Sequence, residues 1–231
     1  MVTKRIAIIP ARGGSKRIPS KNIIDFHGKP MIAWTIIAAK EAGLFDRILV
    51  STDDSNIAEI SKKYGAEVPF LRKESADDHT PVSAATISAL HQAADYWQEQ
   101  YVTVTQLMAN CPLRNSNDIK KATLNFNQQE CNFQISCFKY GWMNPWWAVK
   151  LDKMHRPARL FTQAADQRSQ DLPELYCPTG AIWIAQVQEL FFEKSFYGEG
   201  HVFDPISWES AVDIDDYEDL RLAELLANKM L

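Results

Sequence analysis

Between Ala11 and Asn22 the chain reads Ala-Arg-Gly-Gly-Ser-Lys-Arg-Ile-Pro-Ser-Lys-Asn, with four cations and no acid. Gly13 and Gly14 let backbone N–H groups approach an anion closely, and the Arg and Lys side chains supply charge-assisted bonds to phosphate oxygens. By its chemistry this is a polyphosphate cradle. It lacks the Gly-Lys-Ser/Thr spacing of a Walker A loop and the GxGxxG spacing of a dinucleotide fingerprint. A solvated basic loop is the plain alternative, but the stretch directly follows an apolar run in a chain that is otherwise acidic, which favours a ligand. Far along the chain, Asp213 and Asp215 flank Ile214. On an extended segment the two carboxylates point to one side and the isoleucine to the other. Such a pair suits a Mg²⁺ ion that keeps most of its waters and bridges phosphates. Asp216, Glu218 and Asp219 follow, and these acids equally suit the start of a helix, where the macrodipole favours negative charge. That second reading explains the later acids well and the alternation at Asp213 and Asp215 less well.

These groups need elements to bring them together. Arg5 to Pro10 is a short β-branched run ending at the glycines, which reads as a buried parallel strand. Pro30 to Gly43 has the boundaries and apolar spacing of a helix. The alternation continues with a strand at 47–51, a helix at 55–64, a strand from Glu67 to Leu71, a helix at 82–98, a strand at 102–108 and a helix at 116–128. Strands alternating with helices predict right-handed βαβ units: an α/β, Rossmann-like, mostly parallel sheet with helices on both faces. Ligands of such sheets sit beyond the carboxyl ends of the strands, so the loops at Arg12, Thr52, Arg72 and Ala109 should converge. After a strand at 133–138 the pattern turns aromatic and irregular, and about 140–175 reads as an inserted, partly β arm; a strand at 180–185 and a final helix from Tyr217 complete one domain spanning 1–231.

Composition limits the alternatives. The 231 residues carry 25 Lys and Arg against 29 Asp and Glu, for a net charge of −4. That argues against a surface built for nucleic acid or anionic lipid. No apolar run reaches the roughly 20 residues of a membrane helix. Cys111, Cys131, Cys137 and Cys177 match no zinc or redox spacing, and with no secretory leader they read as free thiols in a reducing cytoplasm. The five histidines show no ligand spacing. Of seven tryptophans, Trp142, Trp146 and Trp147 fall together in the arm.

The stretch Ile9 to Asn22 resembles the signature of the CMP-sialic acid synthetases and the bacterial relatives that activate pseudaminic and legionaminic acids. Gly28-Lys-Pro-Met-Ile32, Val50-Ser-Thr-Asp-Asp54, Tyr64-Gly-Ala-Glu-Val68, Cys111-Pro-Leu-Arg114, Arg168-Ser-Gln-Asp-Leu-Pro173 and Asp213-Ile-Asp-Asp216 follow in the family's order, so the resemblance spans almost the whole chain. It implies a nucleotide-diphospho-sugar transferase fold with a dimerisation arm. It also implies a cytidylyltransferase that joins CMP from CTP to the anomeric hydroxyl of a nine-carbon α-keto acid sugar, with Mg²⁺ and release of pyrophosphate.

The resemblance assigns Arg12, Lys16 and Lys21 to the triphosphate, with Ala11, Gly13, Gly14 and Ser15 in the same loop. Lys21 would neutralise charge on the departing pyrophosphate. Asn22 matches a residue near the nucleotide's sugar and base, with a helix cap as an equal alternative. Arg72 matches an arginine at the cytosine pocket and Ser83 a serine that contacts the base; a surface arginine and a first-turn serine are the structural alternatives. For the acceptor's carboxylate, a fork-shaped cation is wanted. Arg168 is the candidate, from a motif resembling the pseudaminic acid branch, and Lys139 is the second. The resemblance gives Asp215, with Asp213, to the metal, and Arg12, Lys21 and Asp215 to catalysis. The aromatic arm suits pairing of two subunits and the rim of the pocket, with a local core as the competing use. A CMP-Kdo synthetase shares some of these motifs, and a nucleotide-binding sensor without turnover is the alternative from another class.

Overall fold

The computed structural model describes residues 4–72, 82–164 and 167–230. The first strand is β1 (Lys4–Pro10). The basic loop follows, then a two-stranded ribbon, β2 (Asp25–Phe26) and β3 (Lys29–Pro30), which sequence periodicity did not reveal. Next come α1 (Met31–Ala42), β4 (Arg47–Ser51), α2 (Ser55–Lys63), α3 (Val82–Trp97), β5 (Tyr101–Gln106), α4 (Ser116–Gln129) and β6 (Phe133–Lys139). The stretch from 140 to 175 contains a small hairpin, β7 (Val149–Leu151) and β8 (Pro157–Arg159); its residues 165 and 166 lie outside the described residues. The chain closes with β9 (Tyr176–Gln186), α5 (Val187–Glu193), β10 (Val202–Pro205) and α6 (Tyr217–Met230).

Six strands form the central sheet in the order β10, β6, β9, β5, β1, β4. β4, β1 and β5 are mutually parallel, and β10 is parallel to β6. β9 runs antiparallel to both of its neighbours. The sheet is therefore mixed with a parallel majority. β1 shows why its sequence is almost continuously apolar. Ala7 and Ile9 enter the core shared with Ile32, Ile36 and Ile119 on one face, and Ile6 and Ile8 enter the core shared with Ala89, Leu90 and Leu190 on the other. A strand covered on both faces leaves no position for a polar side chain.

Local signals explain the boundaries. Gly43 ends α1 at φ 66°, a conformation that costs a glycine nothing. Asp54 caps α2 by accepting from the N–H groups of Asn56 at 2.7 Å and Ile57 at 3.0 Å. A reciprocal Asn115 and Asp118 capping box opens α4.

The strand expected from Glu67 to Leu71 is not formed. Glu67 makes one isolated parallel bridge to Leu49. Pro69 has no N–H to continue the ladder, and the chain turns so that the Arg72 N–H donates to the Thr52 carbonyl at 2.7 Å. The strand expected at 180–185 begins earlier, at Tyr176, because β6 carries an irregularity between Ile135 and Cys137 that lets pairing resume after a slip. α5 and β10 were not anticipated; each is short and largely apolar, so periodicity could not separate it from a loop.

Candidate active site

The loops after β1 and β5, with Arg72, enclose a cleft of about 580 Å³ beyond the carboxyl ends of these parallel strands; the loop after β4 braces it, Asp53 accepting from the Gly13 N–H, but does not line it. Ala11, Arg12, Ser15, Lys16, Lys21, Asn22 and Arg72 line it, as do Asp213 and Asp215. Two sequence segments about 200 residues apart thus form one surface.

The basic loop is held by backbone contacts. The Gly13 N–H donates to Asp53 Oδ1 at 2.9 Å, and the Ser15 N–H to the Gly13 carbonyl at 3.0 Å. A Cβ on Gly13 would lie 2.8 Å from Asp54 Oδ2, so glycine is required there by close approach to the α2 cap. Gly14 meets no such obstacle. Asn22 is buried within a 3₁₀ turn, Lys21–Ile23, and its amide donates to the Arg12 carbonyl at 2.9 Å. It lines the cleft and braces the loop, and it does not cap a helix.

Opposite the loop, residues 212–215 run without regular secondary structure towards α6. Ile214 is fully buried beside Ile18, Phe26 and Ala223, while Asp213 and Asp215 face the cleft. The alternation expected from sequence is thus realised. The later acids do a different job: Asp216 accepts from the N–H of Glu218 and Asp219, and Asp219 accepts from those of Asp215 and Asp216, which closes the first turn of α6.

Lys21 Nζ donates to Asp215 Oδ1 at 2.9 Å and to the Ile214 carbonyl at 2.8 Å. Asp215 Oδ2 receives Arg17 Nη2. Asp213 instead receives a hydrogen bond from Asn110 Nδ2, and the same nitrogen lies 3.4 Å from Asp215 Oδ1. Partial desolvation by the atoms packed around it, with Asp215 as a like charge nearby, pushes the Asp213 carboxyl up to about 6, although the residue remains open to the cleft. Asp215 is also raised by burial, but its bonds to Lys21 and Arg17 outweigh that and hold it below the usual carboxylate range. Two hard oxygen donors that converge on one amide nitrogen, one of them destabilised by the other's charge, fit a divalent cation. No third acid, histidine or cysteine joins them among the described residues.

Sequence reasoning missed Asn110. It is buried after β5, and its backbone carbonyl accepts from the Ile214 N–H at 2.9 Å, so it clamps both ends of the acidic segment. Its signal was position alone, one residue past a loop expected at the cleft. Behind it, the fully buried Arg114 donates to Thr35 Oγ1 at 2.8 Å and to the Met108 carbonyl at 3.2 Å, fixing the same loop. Burial pulls its pKa down to about 10. Gly180 on β9 completes this wall: a Cβ there would meet Met108 Cγ at 2.8 Å.

The other expected residues fall in different places. Arg72 is buried at the cleft, its pKa lowered by burial against the opposing pull of Asp53. Ser83 is buried in the first turn of α3; its neighbours Val82 and Ala85 line the cleft. Lys139 and Arg168 do not line it. Lys139 pairs with Glu174 beside a separate hollow of about 250 Å³. Arg168 pairs with Asp171 at 2.8 Å on the exposed arm. In the arm, Trp146 packs edge-on against Phe161 and donates to the Pro173 carbonyl, whereas Trp142 is 87% exposed.

A family model described as cytidylyltransferase matches residues 6–203. The chain is 38% identical to the pseudaminic acid cytidylyltransferase of Campylobacter jejuni, over 96% of each chain. It is 33% identical to the CMP-N,N'-diacetyllegionaminic acid synthase of Legionella pneumophila, over 96% of this chain and 95% of that one. Its fold is similar to that of a CMP:2-keto-3-deoxy-manno-octonic acid synthetase solved with CTP, at a TM-score of 0.72 and 16% identity, covering 99% of this chain and 100% of that one.

Proposed function

We propose, from the premise that this chain belongs to the cytidylyltransferase family, that its cleft transfers CMP from CTP to the anomeric hydroxyl of a nonulosonic acid and releases pyrophosphate. The observation that carries this reading is the meeting of the basic loop with the Asp213 and Asp215 pair in one cleft. The names of the Campylobacter and Legionella relatives support a nine-carbon acid as acceptor, and the higher identity to the former favours pseudaminic acid.

The acceptor hydroxyl attacks the α-phosphate of CTP in line, with no covalent enzyme intermediate, so the protein's task is positioning and charge neutralisation. Arg12 and Lys16 face the triphosphate, and Arg72 faces the base. Lys21 is held by Asp215 and the Ile214 carbonyl, so its ammonium is already in place for the charge of the leaving pyrophosphate. Asp213 and Asp215 would hold Mg²⁺, which supplies neutralisation of the phosphate oxygens. Arg168 and Lys139 are the proposed partners of the acceptor's carboxylate; both lie outside this cleft and each already pairs with an acid, so the role requires the segment that carries them to reach over a cleft and Asp171 or Glu174 to be displaced.

A homodimer joined through the arm belongs to the same reading. It is supported by the exposure of Trp142, Met143, Trp147, Leu151 and Met154 on one short stretch. The proposed compartment is the cytoplasm, where free thiols are stable.

Pyrophosphate release from CTP is the test, measured with and without Mg²⁺ against pseudaminic, legionaminic and N-acetylneuraminic acids and Kdo. Magnesium-dependent release with a nonulosonic acid is expected, fastest with pseudaminic acid. Release with Kdo alone would move the enzyme to that acceptor, and CTP binding without turnover on any sugar would make it a sensor.

A further inference from the structure

The basic loop contains a fourth cation, Arg17, to which the chemistry above gives no task. Its Nη2 reaches Asp215 Oδ2, while Lys21 takes Asp215 Oδ1. Each oxygen of this carboxylate therefore carries a protein cation. We propose that the Arg17 guanidinium and a divalent cation compete for Asp215, so that Arg17 sets the metal concentration at which the cleft loads. This rests on the reading of Asp213 and Asp215 as the metal site.

The two cations on Asp215 are not equivalent. The Lys21 side chain is 15% exposed and is anchored a second time on the Ile214 carbonyl. The Arg17 side chain is 62% exposed and approaches from the mouth of the cleft. Its backbone is kept within reach by Ile18, which is fully buried in the core that also holds Ile214. Asp216 and Asp219 add a weaker attraction to a guanidinium that is charged at any ordinary pH. A hard cation binds a carboxylate through an oxygen lone pair, and a guanidinium on that oxygen must withdraw or share it. Because the Arg17 pair is water-exposed it is weak and screened by salt, so it tunes metal affinity without blocking it. Lys21 stays in place, which keeps the tuning separate from the cation assigned to the leaving group.

The test is Mn²⁺ titration of the whole protein without nucleotide, followed by the loss of the free-ion EPR signal, for wild type, Arg17→Gln and Asp215→Asn. Circular dichroism verifies that each variant is folded. Arg17→Gln should bind Mn²⁺ about two- to fivefold more tightly than wild type, and Asp215→Asn should bind it much more weakly. An unchanged or weaker affinity in Arg17→Gln, with binding still lost in Asp215→Asn, overturns the competition and leaves the metal site standing. Wild-type affinity in Asp215→Asn overturns the metal reading and the competition with it, and no binding by any of the three overturns the competition in the nucleotide-free cleft.

Discussion

Lys21 is the side chain whose loss should read most directly on turnover. It is fixed by two acceptors, so its charge sits in place before substrate arrives and needs no reorganisation as charge develops. Lys21→Ala should lower kcat by about 10²–10³-fold with an unchanged thermal melting temperature, measured by steady-state pyrophosphate release. Near-normal turnover would remove the leaving-group role. The site also shows how one acidic run divides its labour residue by residue. Asp213 and Asp215 face the cleft because Ile214 between them is buried, and Asp216 and Asp219 turn to the backbone of α6.

At the scale of elements, the two ends of the parallel strands have opposite duties. The carboxyl ends of β1 and β5 open into the cleft, and the loop after β4 braces the basic loop that lines it. The amino ends of all three strands are tied by Glu99, which accepts from Arg47 at 2.8 Å, from Lys4 and from the Tyr101 hydroxyl at 3.0 Å. Arg47 also bonds Glu67 and lies 4.7 Å from the Trp97 ring, so one residue ties β4 to the segment after α2, to the end of α3 and to Glu99 just before β5. The bonds from Arg47 and then Lys4 pull the Glu99 carboxyl down to about 2, from 4.5. A carboxyl depressed in the folded state contributes stability that is fully present above about pH 4.5 and is lost as pH falls towards about 2. Glu99→Gln should therefore lower stability at pH 7 by about 1–2 kcal/mol and flatten the acid limb of the profile between those values. Urea unfolding at a series of pH values measures both, and a parallel acid limb in the variant would refute the assignment.

For the whole molecule, the proposed pairing of subunits falls on the segment between β6 and β9. β7 and β8 are exposed along their full length, and Trp142 stands almost entirely in solvent. If the arm pairs two subunits, Trp142→Ser combined with Leu151→Ser should shift the sedimentation equilibrium from dimer to monomer while the circular dichroism spectrum is kept. A wild-type protein that sediments as a monomer at micromolar concentration would discard the pairing.

Much of this was legible from residue order, because the signals involved are local. The basic loop after β1, the cap at Asp54, the glycine ending α1 and the alternation around Ile214 depend on neighbours a few positions away, and so did the βαβ rhythm. The family resemblance then joined the loop to the distant acids. Other features depend on contacts between elements far apart in the chain. The segment at Glu67 makes one bridge to Leu49 and then turns towards Thr52, and β9 reaches back to Tyr176 because its pairing with β6 resumes after a slip. Asn110, about 100 residues before the carboxylates it clamps, has no sequence pattern that marks it. The sequence alone thus determined which charges the protein carries and the short segments that present them. Only the tertiary structure decided that Arg17 and Lys21 would divide the two oxygens of Asp215, since hydrogen-bond partners are chosen by distances that close when the sheet and its flanking helices pack.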